Sequence, residues 1–86
     1  MKVDFEKVPF HDIEGREQVL NVKKDIGNAL YMQGETIEVC KLGEKIYFAD
    51  GEIDIDDKEA DIIKVFAKRY PYVAASAIEK AITPKP

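Results

Sequence analysis

The sequence predicts one α+β domain, in which a small antiparallel sheet packs with about four helices in the order ββααβαα. Its 86 residues are 45% hydrophobic, which suits a single domain with its own core. Alternation of apolar and polar residues predicts strands near the N-terminus and at residues 52–55. A helical period follows residue 21 and dominates after residue 56. We expect the domain to span residues 1–86, with a frayed tail at residues 83–86.

An N-terminal hairpin should supply two strands of this sheet, and residues 52–55 should supply the third. The alternation that begins at Val3 changes phase before Val8, which predicts a bend or a bulge between them. The segment DIEG, residues 12–15, begins with Asp and ends with Gly, as a type I turn prefers. Residues 18–22 then form the return strand of the hairpin.

A first helix is predicted between Asn21, which can cap it, and Gly34, which has the place of a C′ residue. Gly27 lies inside this helix, where glycine costs about 1 kcal/mol relative to alanine. A glycine in that position indicates close approach of another backbone. One face of the helix consists of Ile26, Ala29, Leu30 and Gln33, with Tyr31 and Met32 beside it.

Residues 35–49, ETIEVCKLGEKIYFA, have two interpretations. As a helix capped by Thr36, they place apolar residues along one stripe. As two strands, they would turn at the segment KLGE. The helix is the preferred interpretation. Its stripe consists of Val39, Leu42, Ile46 and Ala49.

Two further helices are predicted in the last third of the chain. Asp56 can cap the first of them, and Glu59, three residues later, completes a capping box. Pro71 ends this helix and supplies the first position of an alanine-rich helix at residues 71–82. The third helix should pack on the strand at residues 52–55 through one apolar face. That face consists of Ala60, Ile63, Phe66, Ala67 and Tyr70.

The acidic stretch DGEIDIDDKE, residues 50–59, also has two interpretations. As a calcium loop it would begin at Asp50, but Ile55 then takes the sixth position, where that loop needs Gly. Asp61 takes the twelfth position, where the loop needs Glu. As a strand followed by a helix cap, the stretch buries Ile53 and Ile55 and exposes the acids. The second interpretation fits better, so we expect no metal here.

The sequence offers no catalytic constellation. His11 is the only histidine, and the single Cys40 has no cysteine with which to share a zinc ion. We interpret His11 as a surface residue and Cys40 as a small buried hydrophobe. The five glycines are scattered and form no phosphate-binding loop. We therefore expect a non-enzymatic protein without a cofactor.

Charge and hydropathy favour a cytoplasmic protein. No apolar run is long enough to cross a bilayer, and the N-terminal segment MKVDFEK lacks the apolar part of a signal peptide. A single cysteine fits a reducing compartment. The net charge of −4 and the pI near 5.0 are unfavourable for binding a phosphate backbone.

Aromatic side chains are the main candidates for a binding surface, because so small a chain is not expected to bury all of them. The candidate interaction surface consists of Tyr31, Tyr47, Phe48, Tyr70 and Tyr72. We predict a protein partner, and in particular a weak homodimer that uses the aromatic side chains around Tyr70 and Tyr72.

A small nucleic-acid-binding regulator is the alternative. It would use the basic end of the third helix, formed by Lys64, Lys68 and Arg69. Asp57 and Asp61 share that face and dilute its charge, so a solvated face rich in ion pairs is the preferred interpretation.

The order of these segments resembles a family of small proteins from phages and prophages. The resemblance covers nearly the full length and rests on KVDFEKVPFHDIEG, on GNALYMQG, on LGEKIYFADGEIDIDDKEADIIKVFAKRY and on the alanine-rich last helix. Members are taken for accessory proteins of the phage structural gene cluster. The resemblance implies a helix at residues 35–49 and a non-enzymatic role in interaction or assembly. It also implies a place in the cytoplasm of the bacterial host or on the virion, and it transfers no functional residues.

Overall fold

The computed structural model describes residues 1–83 and confirms the α+β class. These residues form four short strands and four helices. Most of the predicted frayed tail, residues 84–86, lies outside the described residues. In chain order the elements are β1 (Lys2–Val3), β2 (Val8–His11), β3 (Glu17–Leu20), α1 (Lys23–Gln33), α2 (Ile37–Tyr47), β4 (Ile53–Asp54), α3 (Asp57–Ala67) and α4 (Tyr72–Ala81).

The strands form two separate antiparallel pairs, so the predicted three-stranded sheet is wrong. β1 pairs with β4, and β2 pairs with β3. The predicted bend is a complete break, because the Lys7 N–H donates to the Asp4 carbonyl at 3.2 Å and closes a turn. The Asp4 side chain also accepts from the Glu6 N–H at 2.9 Å. The break adds one strand, and the order of elements becomes βββααβαα.

The β2–β3 hairpin has the predicted turn at its tip. The Gly15 N–H donates to the Asp12 carbonyl at 2.9 Å, and the Arg16 N–H donates to the Asp12 carboxylate at 2.9 Å. Gly15 has φ of +82°, a left-handed conformation that glycine adopts without strain. The return strand, Glu17–Leu20, is shorter than predicted and ends two residues earlier.

The helical interpretation of residues 35–49 is confirmed. α2 begins after Thr36, whose side chain accepts from the Val39 N–H at 3.3 Å. Leu42 and Ile46 are buried, so the predicted stripe faces the core. The segment KLGE therefore continues the helix and does not turn a hairpin.

Both ends of α1 differ from prediction. Val22 is the N-cap, and the Asn21 side chain accepts from the Lys23 N–H at 3.3 Å instead of capping the helix. Gly34 ends the helix with φ of −67°, so it is not the left-handed C′ residue that its position suggested. An added Cβ at Gly34 would lie 2.5 Å from the Leu30 carbonyl oxygen. Only glycine, which has no Cβ, fits this position without a clash.

The acidic stretch serves as a strand face and a helix cap. The Glu59 N–H donates to the Asp56 carboxylate at 2.7 Å, and the Asp56 N–H donates to the Glu59 carboxylate at 3.1 Å, which confirms the capping box. The Lys45 ammonium lies 3.2 Å from the Glu59 carboxylate and also donates to the Asp54 carbonyl. These bonds tie α2 to the start of α3.

One apolar core joins the strands and helices. Ile55 and Ile63 are buried, Phe66 is 9% exposed, and all three belong to the same cluster, as predicted. Ile53 is half-buried against it. α1 packs on α2 and α3, while α4 packs on α3 and β2. Pro71 is the N-cap of α4 and not its first helical residue.

Candidate interaction site on the outer face of the helical hairpin

α1 and α2 form a hairpin whose backbones meet at two glycines. A Cβ added at Gly43 would lie 2.6 Å from the Gly27 carbonyl oxygen and 2.7 Å from the Tyr31 backbone nitrogen. A Cβ added at Gly27 would lie 2.8 Å from the Tyr47 Cβ. Real Cβ atoms do not approach other atoms so closely, so both positions require glycine. The close approach predicted at Gly27 is confirmed, and its partner is Gly43.

The outer face of this hairpin carries a groove of about 280 Å³, which we call the hairpin groove. It combines an apolar lining with a few polar groups, as binding sites usually do. Asn28, Tyr31, Glu44 and Phe48 are all exposed, so no other element within residues 1–83 covers it. The lining residues are Gly27, Asn28, Tyr31, Gly43, Glu44, Tyr47 and Phe48.

Three aromatic side chains form the walls of the hairpin groove. The Tyr47 and Phe48 rings meet edge to face, with centroids 5.0 Å apart and an interplanar angle of 71°. Tyr31 is 50% exposed and Phe48 is 77% exposed. Phe48 is the C-cap of α2, so it lies beyond the stripe that buries Ile46. The Lys24 ammonium lies 6.0 Å from the Tyr47 ring centroid, at the limit of a cation–π contact.

Lys23 fixes the open end of the α1–α2 hairpin, where α1 begins and α2 ends, beside Phe48. The Lys23 ammonium donates to the Glu6 carboxylate at 2.9 Å and to the Ala49 carbonyl at 3.0 Å. The Lys23 side chain is only 17% exposed, so this ion pair is less screened than a surface pair. It connects α1, the residue after Phe48 and the turn between β1 and β2.

Cys40 lies at the other end of the hairpin and is half-buried, so the prediction of a buried residue is not met in full. Its thiol donates to the Tyr31 carbonyl at 3.4 Å. The thiol thus bonds the C-terminal part of α1, close to the loop between the helices. This hydrogen bond gives Cys40 a structural role.

The other two predicted aromatic residues lie away from the hairpin groove. Tyr70 is half-buried against the core, and burial, with a smaller contribution from the Asp25 carboxylate, raises the pKa of its hydroxyl. Tyr72 is 84% exposed at the start of α4. The structure therefore separates the five aromatic residues. Tyr31, Tyr47 and Phe48 share one groove, and Tyr70 and Tyr72 do not belong to it.

A second and wider groove runs between α4 and the first strands. Tyr72 and Val73 line it from α4, and His11, exposed at the end of β2, lines it from the other side. Charged side chains of both signs surround it, among them Lys80 and Glu17. This mixture of charges does not single out a ligand class.

The basic residues at the end of α3 do not form a concentrated patch. Lys64 is half-buried, and Lys68 is the exposed C-cap of the helix. The Arg69 guanidinium stacks on the Phe66 ring at 4.8 Å from the centroid, so it covers the edge of the core. Asp57 and Asp61 on the same helix are exposed. This arrangement gives little support to a phosphate-binding surface.

Within residues 1–83, no group of three His, Cys, Asp or Glu side chains is placed to hold a metal ion. The same residues contain no helix with the length and apolarity needed to span a membrane. In comparisons with known proteins, no family model, no curated protein and no solved structure matches the chain. The hairpin groove is thus defined by the geometry of this chain alone.

Three residues of the groove were missed by sequence reasoning, namely Gly43, Asn28 and Glu44. The glycines carried a signal, since one lies inside each of two consecutive helical segments. Paired glycines in an antiparallel hairpin indicate a close crossing. Asn28 and Glu44 are ordinary surface residues in the sequence, and only the packing of the two helices places them on opposite rims of one groove.

Proposed function

We propose that this chain is a non-enzymatic interaction module that binds another protein surface through the hairpin groove. The observation that supports it most is the exposure of Phe48, a large apolar side chain held at 77% exposure beside a formed groove. Aromatic anchors are enriched at interface centres, so an exposed phenylalanine that lines a groove suits a contact surface. Tyr31 and Tyr47 extend the same apolar surface.

We further propose that the module is an accessory protein of phage or prophage origin, in the cytoplasm of the host or on the virion. This rests on the resemblance of the order of segments described above. Genes for capsid or tail proteins beside this gene would support the assignment. An isolated position beside an operator would weaken it and favour a regulator.

Site-specific photocrosslinking tests the interaction surface directly. The chain carries a benzoylphenylalanine in place of Phe48 and is expressed in cells that naturally carry its gene. We expect a discrete crosslinked product on irradiation, because the position lies at the edge of the contact. The measurement is the mass and yield of the product by gel and mass spectrometry.

A second chain with the same photoreactive residue in place of Val65 is the matched control. Val65 is also apolar and 61% exposed, but it lies on α3. We expect its crosslinking yield to be several-fold lower. No product from position 48, or an equal yield from position 65, would contradict the proposed surface.

A further inference from the structure

We propose that the occupant of the hairpin groove is a second copy of this chain, bound with two-fold symmetry along the groove. This inference rests on the proposed function, since it names the partner of the same surface. α1 and α2 are antiparallel, because a connection of only three residues, 34–36, joins them. A second hairpin laid on the first would complete an antiparallel four-helix bundle.

The direction of the two-fold axis decides which residues meet. An axis that runs along the groove, between the two helices, lays α1 of one copy on α2 of the other. Asn28 and Glu44 line the groove from opposite helices. Such an axis therefore places Asn28 opposite Glu44 of the second copy, and the same contact occurs a second time by symmetry.

Hydrogen-bond complementarity favours this axis. The Asn28 amide is a hydrogen-bond donor and the Glu44 carboxylate is an acceptor, so the two rims complement each other. Lys24 lies on α1 near Tyr47 and, in the dimer, faces the α2 aromatic wall of the second copy. An axis across the groove at the level of Glu44 would instead place Glu44 against Glu44, which is unfavourable in a chain of net charge −4.

The size of the contact predicts a weak dimer. Each aromatic side chain buries at most about 150–250 Å². Tyr31 is 50% exposed and Phe48 is 77% exposed. The chain itself therefore already buries 50% of Tyr31 and 23% of Phe48. Together they provide less than the roughly 800 Å² per partner of a standard stable interface. We therefore expect a weak dimer, with a dissociation constant on the order of 100 µM.

Sedimentation equilibrium over the micromolar-to-millimolar range tests the dimer and its axis with two variants of the full chain. Asn28→Lys places a base opposite each Glu44, and we expect the dimer to become about threefold to tenfold tighter, because two exposed ion pairs are added. Asn28→Asp places two acids opposite each other and should weaken the dimer by a similar factor. Position 28 is exposed, so both variants should fold normally.

Glu44→Gln distinguishes the two axes. With the axis along the groove, this change replaces the charged acceptor of Asn28 by a neutral amide oxygen, so the hydrogen bond and the dimer become weaker. With the axis across the groove, it removes a repulsion between two Glu44 side chains and tightens the dimer.

A tighter Glu44→Gln dimer, or a wild-type chain that is monomeric throughout the range, would overturn the inference. If the chain is monomeric but position 48 still crosslinks to a different protein, this inference fails and the proposed function stands. If the chain is monomeric and position 48 gives no product, both fail.

Discussion

Gly43→Ala is expected to lower the free energy of unfolding by about 1–3 kcal/mol, as overpacking in a well-packed interior does. The new methyl group would lie 2.6 Å from the Gly27 carbonyl oxygen and 2.7 Å from the Tyr31 nitrogen. Both neighbours are backbone atoms, so relief requires the two helices to separate. Urea denaturation measures the effect.

Glu44→Ala is the matched control for Gly43→Ala. It changes the next residue of α2, which is exposed, and should alter stability by no more than about 0.5 kcal/mol. In a helix without the close contact, Gly43→Ala would instead stabilise by about 1 kcal/mol through helix propensity. A variant as stable as wild type or more stable would therefore contradict the contact between the two helices.

Phe66→Ala is expected to cost about 3–5 kcal/mol, the usual effect of removing a buried phenylalanine. Phe66 is 9% exposed and belongs to the cluster that includes Ile55 and Ile63. The change also removes the ring on which Arg69 stacks at 4.8 Å. Thermal and urea denaturation followed by circular dichroism measure the loss.

Val65→Ala, one residue earlier in α3, provides the comparison for Phe66→Ala. Val65 is 61% exposed, so its change should shift stability by no more than about 0.5 kcal/mol. Unchanged stability of Phe66→Ala would exclude Phe66 from the core. Equal losses at both positions would mean that α3 faces the core differently from the structure described.

The helices were predicted correctly because their sequence signals are local. The capping box of Asp56 and Glu59 involves residues three positions apart, and Thr36 caps α2 in the same way. The apolar stripe of each helix then follows from the 3.6-residue period. The cap of α1 was displaced by one residue, because Val22 takes the N-cap position and Asn21 bonds Lys23 from just outside the helix.

The sheet arrangement could not be predicted because strand pairing is not local. β1 and β4 have two residues each and lie about fifty residues apart. Their pairing depends on the turn at Asp4, which breaks the N-terminal segment and directs β2 into a different pair. Alternation in sequence identifies which residues face the core, as for Ile53 and Ile55, but it does not identify the partner strand.

The candidate site was predicted in part. Tyr31, Tyr47 and Phe48 were identified as aromatic residues too numerous for the core, and the structure brings them together. Tyr70 could not be separated from them in sequence, because its burial depends on how the end of α3 meets the core. The groove itself depends on Gly27 and Gly43 lying opposite each other, which requires the three-dimensional crossing of the helices.

Nuclear magnetic resonance tests directly whether the chain associates with itself through the hairpin groove. Amide spectra of the isotope-labelled chain are compared from micromolar to millimolar concentration. We predict that concentration-dependent shifts concentrate on the hairpin groove, at Asn28, Tyr31, Gly43 and Phe48. Shifts at Tyr72 and α4 with an unchanged hairpin, or no shifts at any concentration, would contradict a dimer formed through the hairpin groove.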